Sequence, residues 1–420
     1  MNKIVLIYIL LLLSLSIHAQ ERDRYRFAET YFGFEAELNP QNGSFYKFEN
    51  NFIQQAKTPS TLSPRFLIGG THFWGHADFY ISIPFYDFKL NGSKDFFQTN
   101  GVLTAFRFLP WKLKSNALRP FAGVGFNAKS IRNEKSALYG NSQWFFEGGL
   151  SYRSKKNKVF GLNMRYFPQS SYYASVNRSQ LRPLEVDPFS FSLSYKTVID
   201  FSRSYSLDRY KRYYQQLKED LAESNNLNTY SIGIGVTALI PLEKTKHASR
   251  NVFLNDEIEG NVSLDLGLAY FLHKQELAFR MSYRPLTQKE EAYDYTYQLN
   301  RHSLAFEAFK FIGDYHGFIP FIGPYISADY YHLKENDRGQ KITDLERTNV
   351  GYGLVFGWDI RFSETDPIIL RTNLRYNPDY KLKDKGLSFT AKNLEFNFIQ
   401  LVIYPERIKA NKKLSKKWNS

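Results

Sequence analysis

Residues 163–168 read Asn-Met-Arg-Tyr-Phe-Pro, and residues 373–378 read Asn-Leu-Arg-Tyr-Asn-Pro. In an extended strand, the Asn and Arg of each copy share one face, while the Met or Leu and the Tyr share the other. A strand with water on one side and lipid on the other has this pattern. Because the pattern recurs in both halves of the 420-residue chain, the sequence predicts a duplicated membrane β-barrel.

The two copies belong to a longer duplication. Residues 119–123 read Arg-Pro-Phe-Ala-Gly, and residues 319–323 read Ile-Pro-Phe-Ile-Gly. Each stretch is followed by another strand pattern, a polar loop and a glycine-rich strand that ends at Arg153 or Arg361. We infer an ancestral unit of eight strands that was doubled.

Alternating segments of strand length continue through both halves. Between residues 261 and 271, Leu264 and Leu266 share one face, while Asp265 and Gly267 share the other. A tilted barrel wall needs about 9 to 11 residues per strand. About sixteen segments fit this length. They lie near residues 29–38, 64–74, 78–89, 101–109, 119–129, 143–153, 158–167, 188–199, 229–240, 261–271, 275–285, 301–311, 318–331, 349–361, 367–376 and 393–404.

The connections alternate between short and long, as a barrel that the chain enters from the periplasm requires. The short ones run from Gly75 to Ala77, Pro110 to Leu118, Ser154 to Asn157, Leu272 to Lys274, Ile312 to Gly317 and Ser363 to Asp366. The long ones, predicted as external loops, include residues 39–63, 168–187, 241–260, 332–348 and 377–392. A soluble β-sandwich, the alternative fold, needs no such asymmetry between its two ends.

Each half resembles the small eight-stranded outer-membrane barrels of Gram-negative bacteria. The resemblance covers nearly the whole chain after its N-terminal segment, and it rests on patterns rather than on a signature motif. It implies an all-β fold, an antiparallel transmembrane β-barrel of about sixteen strands, set in the lipid of the cell outer membrane. The chain departs from such barrels at its end, because residues 394–404 are followed by a mostly polar stretch instead of a terminal aromatic residue.

The N-terminus and the composition agree with export. Lys3 precedes an apolar run over residues 4–13, and Ala19 suits a cleavage site, so we expect residues 1–19 to be a cleaved signal peptide. The chain has no cysteine, and its 30 Tyr and 37 Phe suit the aromatic girdles of a membrane barrel. The formal charge of +14 is scattered over loops and strand faces, which argues against a nucleic-acid partner.

A polar linker between the halves contains an apolar stripe at spacings of three and four, which predicts an amphipathic periplasmic helix over residues 206–224. The stripe consists of Leu207, Tyr210, Tyr214, Leu217 and Leu221. The candidates to bury this apolar stripe are the barrel, at its rim or in its lumen, the membrane surface and an envelope protein partner. The external loops are the other predicted contact for an envelope protein partner. Five lysines near the C-terminus favour a solvated basic tail.

The predicted organisation has five parts. They are the signal peptide (1–19), the first eight-strand half (20–202), the helical linker (203–227), the second eight-strand half (228–405) and the basic C-terminal tail (406–420). The duplication is compatible with one sixteen-stranded barrel, which leaves an aqueous channel, or with two eight-stranded barrels, whose own side chains fill the interior. We favour the single barrel because two complete barrels in one chain are unusual.

Charged side chains on the polar strand faces form the candidate site. Basic residues are in modest excess, which would bias an open lumen toward anions, whereas pairing across strands would close the lumen. The repeated Asn and Arg are also suited to hold a carboxylate or phosphate. The residues predicted to face the lumen and contact a solute or ligand are Arg107, Arg119, Arg153, Asn163, Arg165, Arg280, Arg361, Arg371, Asn373 and Arg375.

The sequence does not favour an enzyme, a cofactor or a metal site. His302 and Ser303 are adjacent, but neighbours on a strand point to opposite faces and cannot act together as base and nucleophile. The histidines lack metal-ligand spacing, and no glycine-rich phosphate loop occurs. We therefore expect a passive pore or transporter for small polar solutes, with anions as one candidate class. The alternative is a closed structural barrel that serves as a subunit of an envelope complex.

Overall fold

The computed structural model describes residues 29–40, 42–49, 52–72, 75–92, 95–111, 115–133, 135–136, 139–199, 208–242, 251–254, 262–313, 317–361, 363–384 and 387–419. The predicted signal peptide lies outside these residues, and so does Leu207 of the predicted helix. Within these ranges, no helix is both long enough and apolar enough to cross a membrane.

Eight strands of the first half form a closed antiparallel ring. The strands of this half are β1 (Glu29–Asn39), β2 (Ser44–Glu49), β3 (Phe52–Lys57), β4 (Thr61–His72), β5 (Ala77–Pro84), β6 (Phe88–Lys89), β7 (Phe96–Phe108), β8 (Ala117–Asn133), β9 (Tyr139–Arg153), β10 (Lys158–Tyr166), β11 (Ser171–Asn177), β12 (Gln180–Glu185) and β13 (Phe189–Ile199). The ring runs in the order β1-β13-β10-β9-β8-β7-β5-β4, and β1 closes it by pairing with both β13 and β4. The first half is therefore a complete eight-stranded barrel.

The second half forms a closed barrel of its own. Its strands are β14 (Thr229–Pro241), β15 (Ser263–Leu272), β16 (Leu277–Ala292), β17 (Tyr295–Phe311), β18 (Phe318–Asp337), β19 (Gln340–Ile360), β20 (Ile368–Asp384) and β21 (Leu387–Ile403). Each strand pairs with the next along the chain, and β21 returns to pair with β14. This is the up-and-down arrangement, which leaves no free sheet edge where the ring is complete.

The sixteen predicted wall strands are present, but our preference for a single barrel is wrong. The edge of β13 that would have met β14 is already paired with β1, and β14 is paired with β15 and β21. The segment between residues 199 and 229 therefore connects two separate barrels. This explains its length, because neighbouring strands of one sheet lie only about 5 Å apart.

The two faces of the wall have the predicted polarity. On β10, Asn163 and Arg165 face the interior and are 1% and 0% exposed, whereas Leu162 and Met164 face outward and are 53% and 47% exposed. A polar interior inside an apolar exterior is the reverse of a soluble β-sandwich and is typical of a transmembrane barrel. The chain is thus an all-β protein with the architecture of outer-membrane barrels.

The two barrels pack side by side through their outer walls. The ring of Phe79 meets Trp358 edge to face, with their centroids 6.3 Å apart. The contact is an apolar cluster from β5 and β7 of the first barrel and β14, β20 and β21 of the second. It comprises Phe79, Ile81, Val102, Ala238, Ile240, Leu374, Phe396, Phe398 and Ile399.

Two of the predicted external loops form a small sheet above the first barrel. Residues 39–63 contain β2 and β3, residues 168–187 contain β11 and β12, and together they make a four-stranded sheet in the order β11-β12-β2-β3. Phe45 of this sheet packs on Phe96 of the barrel at a ring distance of 4.9 Å. The sheet therefore covers the external end of the first barrel.

In the second barrel, two of the predicted loops are not loops. Residues 332–348 continue β18 and β19 as a long hairpin, and residues 377–384 and 387–392 similarly continue β20 and β21. The prediction was wrong here because polar side chains on both faces resemble a loop, although the backbone remains paired. Most of the predicted loop 241–260 lies outside the described residues.

The projecting hairpins join the external parts of the two barrels. Arg178, in the turn between β11 and β12, donates to Asp337 Oδ1 at 2.6 Å and Oδ2 at 3.1 Å. Arg178 also donates to the backbone carbonyl of Tyr293. Hydrogen bonding by Arg178 lowers the pKa of Asp337 below its ordinary value, so the carboxylate is charged at neutral pH.

The predicted linker helix is present as α1 (Asp208–Glu223). The C-terminal residues, expected as a solvated basic tail, form a second helix, α2 (Pro405–Asn419), in which the five lysines are exposed and Leu414 is buried. Leu217, Leu221 and Leu414 are buried between the two helices. The sequence did not predict this helix, because the tail is mostly polar and only a narrow stripe of α2 is apolar.

The helix pair contacts one end of the second barrel. This is the end where β14 begins and β21 ends. Arg407 Nη1 donates to the backbone carbonyl of Glu364 at 2.8 Å, and Lys218 Nζ donates to the carboxylate of Glu364 at 2.6 Å. Burial opposes ionisation of Glu364, but the hydrogen bond and charge of Lys218 outweigh it and lower its pKa. Tyr214, Leu217 and Leu221 of the apolar stripe are thus covered by the chain's own C-terminal helix.

The closure of the first barrel can be tested with a disulfide. Ala36 on β1 lies opposite Leu193 on β13. Directly opposed residues of antiparallel strands lie about 4.5 to 5.5 Å apart between Cα atoms, within disulfide range. We expect the double variant Ala36→Cys/Leu193→Cys to form an intramolecular disulfide, detected by its mobility without reductant.

Because the chain has no native cysteine, no other pairing can interfere. The control is Leu193→Cys/Ile234→Cys, which would place the two thiols on β13 and β14. A disulfide in the control but not in the test pair would mean that the halves join into one ring.

Candidate functional site

The lumen of the second barrel contains four arginines and four carboxylates in one connected network. Glu395 accepts from Arg284 at 2.9 Å, from Arg301 at 2.6 Å and from Arg375 at 3.3 Å. No member is more than 4% exposed. The network consists of Arg280, Arg284, Arg301, Arg375, Asp265, Glu307, Asp329 and Glu395.

The repeated Asn and Arg of the second half are part of this network. Arg375 pairs with Glu307 and Glu395 and donates to Ser282 Oγ at 2.5 Å. Asn373 Oδ1 accepts from Arg284 Nη2 at 2.7 Å. The arginine is therefore paired with two carboxylates of the same barrel.

The first barrel has an equivalent network of four basic and four acidic side chains. Arg107 pairs with Glu147 at 2.7 Å and with Asp78 at 3.7 Å, and Asp78 also lies 3.7 Å from Lys196. No member is more than 5% exposed. The network consists of Arg65, Arg107, Arg165, Lys196, Glu35, Glu37, Asp78 and Glu147.

Arg165 occupies the centre of that network. It contacts Glu35 at 2.5 Å, Glu37 at 2.8 Å and Glu147 at 3.5 Å. Asn163, two residues before it, donates to Glu35 Oε1 at 3.1 Å. The duplicated motif therefore places an arginine between carboxylates in both lumens, with equal numbers of positive and negative groups in each network.

Apolar layers close the second barrel above and below its charges. On the side of α2, Phe309 and Phe321 lie 4.5 Å apart, and Phe311 packs on Phe321 at 5.6 Å. At the external end, Phe253 and Leu254 pack on inward tyrosines of β17 and β18. Charged and apolar layers together occupy the described part of this lumen, apart from a cavity beside Arg301 and Asp329.

The predicted lumen residues fall into three groups. Arg107, Asn163, Arg165, Arg280, Asn373 and Arg375 join the networks, and Arg371 makes a separate buried pair with Asp359. Arg119, Arg153 and Arg361 lie near the short turns, where Arg119 donates to backbone carbonyls, Arg153 pairs with Glu29 and Arg361 approaches Glu276. Contact with a solute or ligand stays a prediction for all ten.

The alternation of the predicted strands also places Lys196, Arg284, Asp78, Glu147, Asp265, Glu307, Asp329 and Glu395 on the inward faces. The network residues that sequence reasoning missed are Glu35, Glu37, Arg65 and Arg301. Glu35 and Glu37 share a face of β1 with Gly33 and were detectable from the alternation of that strand. Arg65 and Arg301 lie at the edges of the predicted segments, where the assignment of a face is weakest. Glu35 and Glu37 are the carboxylates that pair with Arg165, and Arg65 and Arg301 are further bases that pair with Glu37 and Glu395.

His302 and Ser303 point to opposite sides of the wall. Tyr283 Oη lies 2.7 Å from His302 Nδ1 on the outer surface, while Ser303 is buried in the lumen. In the described part of the chain, no three His, Cys, Asp or Glu side chains gather as a metal site would require. The geometry thus offers this pair no shared catalytic position.

Comparison with known proteins gives matches to solved structures at low identity. No family model matches the sequence, and no curated protein does. Neisserial surface protein A overlaps 41% of this chain and 96% of its own, with 14% identity and a TM-score of 0.30. The attachment invasion locus protein Ail of Yersinia pestis overlaps 42% and 97%, with 13% identity and a TM-score of 0.29.

A third solved structure, an outer membrane channel from Pseudomonas putida F1, overlaps 92% of this chain and 100% of its own. Its identity is 11% and its TM-score is 0.20. At these values the overlaps say nothing of a shared activity. The strand pairing itself establishes two closed barrels.

The isolated pair of Arg371 and Asp359 allows the energetic role of the lumen charges to be measured. The guanidinium donates to both carboxylate oxygens, at 2.6 and 2.8 Å. Removal of one partner leaves an uncompensated buried charge, which costs about 3 to 5 kcal/mol. We expect Arg371→Leu to lower the free energy of unfolding by this amount in urea titrations of the detergent-solubilised protein.

The double variant Arg371→Leu/Asp359→Leu should be more stable than Arg371→Leu alone, since no charge is left unpaired. Lys274→Leu, in an exposed turn, is the matched control and should stay within about 0.5 kcal/mol of the unchanged protein. If Arg371→Leu behaves like the control, the lumen charges do not stabilise the barrel as described.

Proposed function

We propose that this protein is a closed double barrel of the outer membrane that serves as a structural subunit of an envelope complex. The observation that carries the proposal is the filling of both lumens by neutral networks of buried ion pairs. A polar solute in transit would have to separate charges that are paired in a medium of low dielectric constant, which is costly. The filled interior favours this function over a passive pore for small polar or anionic solutes.

The external sheet of the first barrel is one surface suited to a partner. Its inner face is buried on the barrel, but Phe52 and Tyr173 are 70% and 69% exposed. Exposed aromatic residues are enriched at protein interfaces because they bury a large apolar area with few rotatable bonds. We propose that this sheet contacts an envelope protein outside the membrane.

The helix pair offers a second surface on the opposite side. Lys409, Lys412, Lys413, Lys416 and Lys417 are exposed along α2, while Leu414 is buried against α1. A lysine-rich face on an anchored helix is suited to acidic periplasmic partners or anionic headgroups. The two surfaces are independent and can be altered separately.

The closed lumen predicts an absence of conductance. Pure folded protein inserted in a planar bilayer should give no discrete ion-conducting steps, whereas a general porin measured in the same way should give them. Regular steps from this protein would contradict the closed barrel and would favour the passive pore.

The subunit role predicts that the protein can be recovered with a partner. After chemical cross-linking of cells and mild detergent extraction, we expect a specific adduct that is lost in Phe52→Ser/Tyr173→Ser. The matched control is Leu162→Ser, an exposed change on the barrel wall. A protein recovered alone from wild-type cells, or an adduct equally abundant in all variants, would count against the external sheet as the interface.

A further inference from the structure

The wall of the second barrel is incomplete between β19 and β20. β19 pairs with β18 along nearly its whole length, from Gln340 to Ile360. With β20 it pairs only from Leu354 to Ile360. On the side that faces β20, residues 349–353 therefore have no strand partner among the described residues.

The chemistry of β20 explains why pairing stops there. Tyr376 is the last residue of β20 that is paired with β19, and Pro378 follows two positions later. Proline has no backbone N–H and cannot donate to a neighbouring strand. The pairing of β20 with β21 also shifts register between Asn377 and Tyr380, so the strand bends at the same point.

A cavity of about 210 Å³ lies at this seam and reaches from the strand edge into the lumen. Gly351 leaves space at its mouth, since a Cβ atom there would come within 2.5 Å of Asp329 Oδ2 and Ser327 Oγ. The lining residues are Arg301, Tyr325, Asp329, Tyr331, Asn349, Val350, Gly351, Tyr352, Asn377 and Pro378.

The seam lies at the external boundary of the apolar wall. Tyr330 belongs to an outward aromatic group with His302 and lies opposite Thr348 on β19. Val350 and Tyr352, the next outward residues of β19, are 72% and 69% exposed. Tyrosines of this kind mark the level where membrane and water meet, so the opening is at the height of lipid headgroups.

The floor of the cavity is polar but neutral. Arg301 lies 3.2 Å from Asp329 and 2.6 Å from Glu395, and Tyr325 donates to Asn377. A charged ligand would have to compete with these pairs. A neutral group with several hydroxyls can instead hydrogen-bond both to the cavity and to the backbone groups of residues 349–353, which have no strand partner on the β20 side among the described residues.

We propose that the seam binds an amphipathic molecule of the outer leaflet. Its uncharged polyol head, such as a sugar or glycerol group, enters the cavity between Arg301, Asp329 and Asn377. Its apolar chain lies against Val350 and Tyr352 on the outside of the wall. The site does not depend on the proposed envelope complex, because a protein recovered alone would still contain it.

The test uses dodecyl maltoside as the probe and native mass spectrometry of the full chain in dodecylphosphocholine micelles. We expect one maltoside to be retained per protein, with a ratio that saturates on titration. In Gly351→Leu, where the new side chain fills the mouth, apparent affinity should fall at least tenfold. Gly148→Leu is the control, because a Cβ atom there meets no atom closer than 3.8 Å.

Two further arms keep the proposal open to refutation if Gly351→Leu does not fold. The isosteric change Asp329→Asn leaves Arg301 with one acid partner fewer, so preference should move from the maltoside toward dodecyl sulfate. Free maltose should not bind at the same concentration, which separates a membrane amphiphile from a soluble sugar. Equal retention in the unchanged protein, Gly351→Leu and Asp329→Asn, or equal binding of maltose, would overturn the proposal.

Discussion

The closure of each half on itself is the constraint on which the rest of the structure depends. Eight strands enclose a space only as wide as their own side chains, so every inward residue of β1 or β20 must find its partners inside the ring. Arg165 and Arg375 are tolerable there only because Glu35, Glu147, Glu307 and Glu395 neutralise them. Removing one member leaves a buried charge, so the stability of each barrel depends on its complete set of ion pairs.

Two complete barrels in one chain also create a surface that a single barrel lacks. Phe79 of the first wall and Phe396 of the second are covered by each other's barrels instead of by lipid. Outside the membrane, Arg178 adds a second contact by pairing with Asp337. Met164 and Leu374 occupy equivalent positions in the repeat. Leu374 packs in the interface between the barrels, whereas Met164 is exposed on the outer wall.

Much of this fold is readable from the sequence, because local alternation determines which residues face inward. The strands, the short turns and the helix that includes Leu217 follow from periodicity alone. Periodicity does not show whether β13 pairs with β1 or with β14, because both strands have the same alternation of polar and apolar residues. The structure shows that β13 pairs with β1. The ion pairs were partly predictable: Arg165 was found from the repeat, whereas its partners Glu35 and Glu37 lie on a strand far away in sequence. The seam between β19 and β20 could be found only from the observed strand pairing, although Pro378 marks its position in the sequence.

The central claim is that each half is a barrel in its own right, and separate expression of the halves tests it most directly. Residues 20–202 and residues 203–420 would be refolded apart in detergent, and strand content and heat-dependent electrophoretic mobility would be measured for each. The account predicts that both halves fold alone into closed, heat-modifiable barrels, because every lumen charge network and every ring closure lies within one half. Halves that stay unfolded alone and fold only when mixed would contradict it, since that result requires strands of the two halves to share one wall.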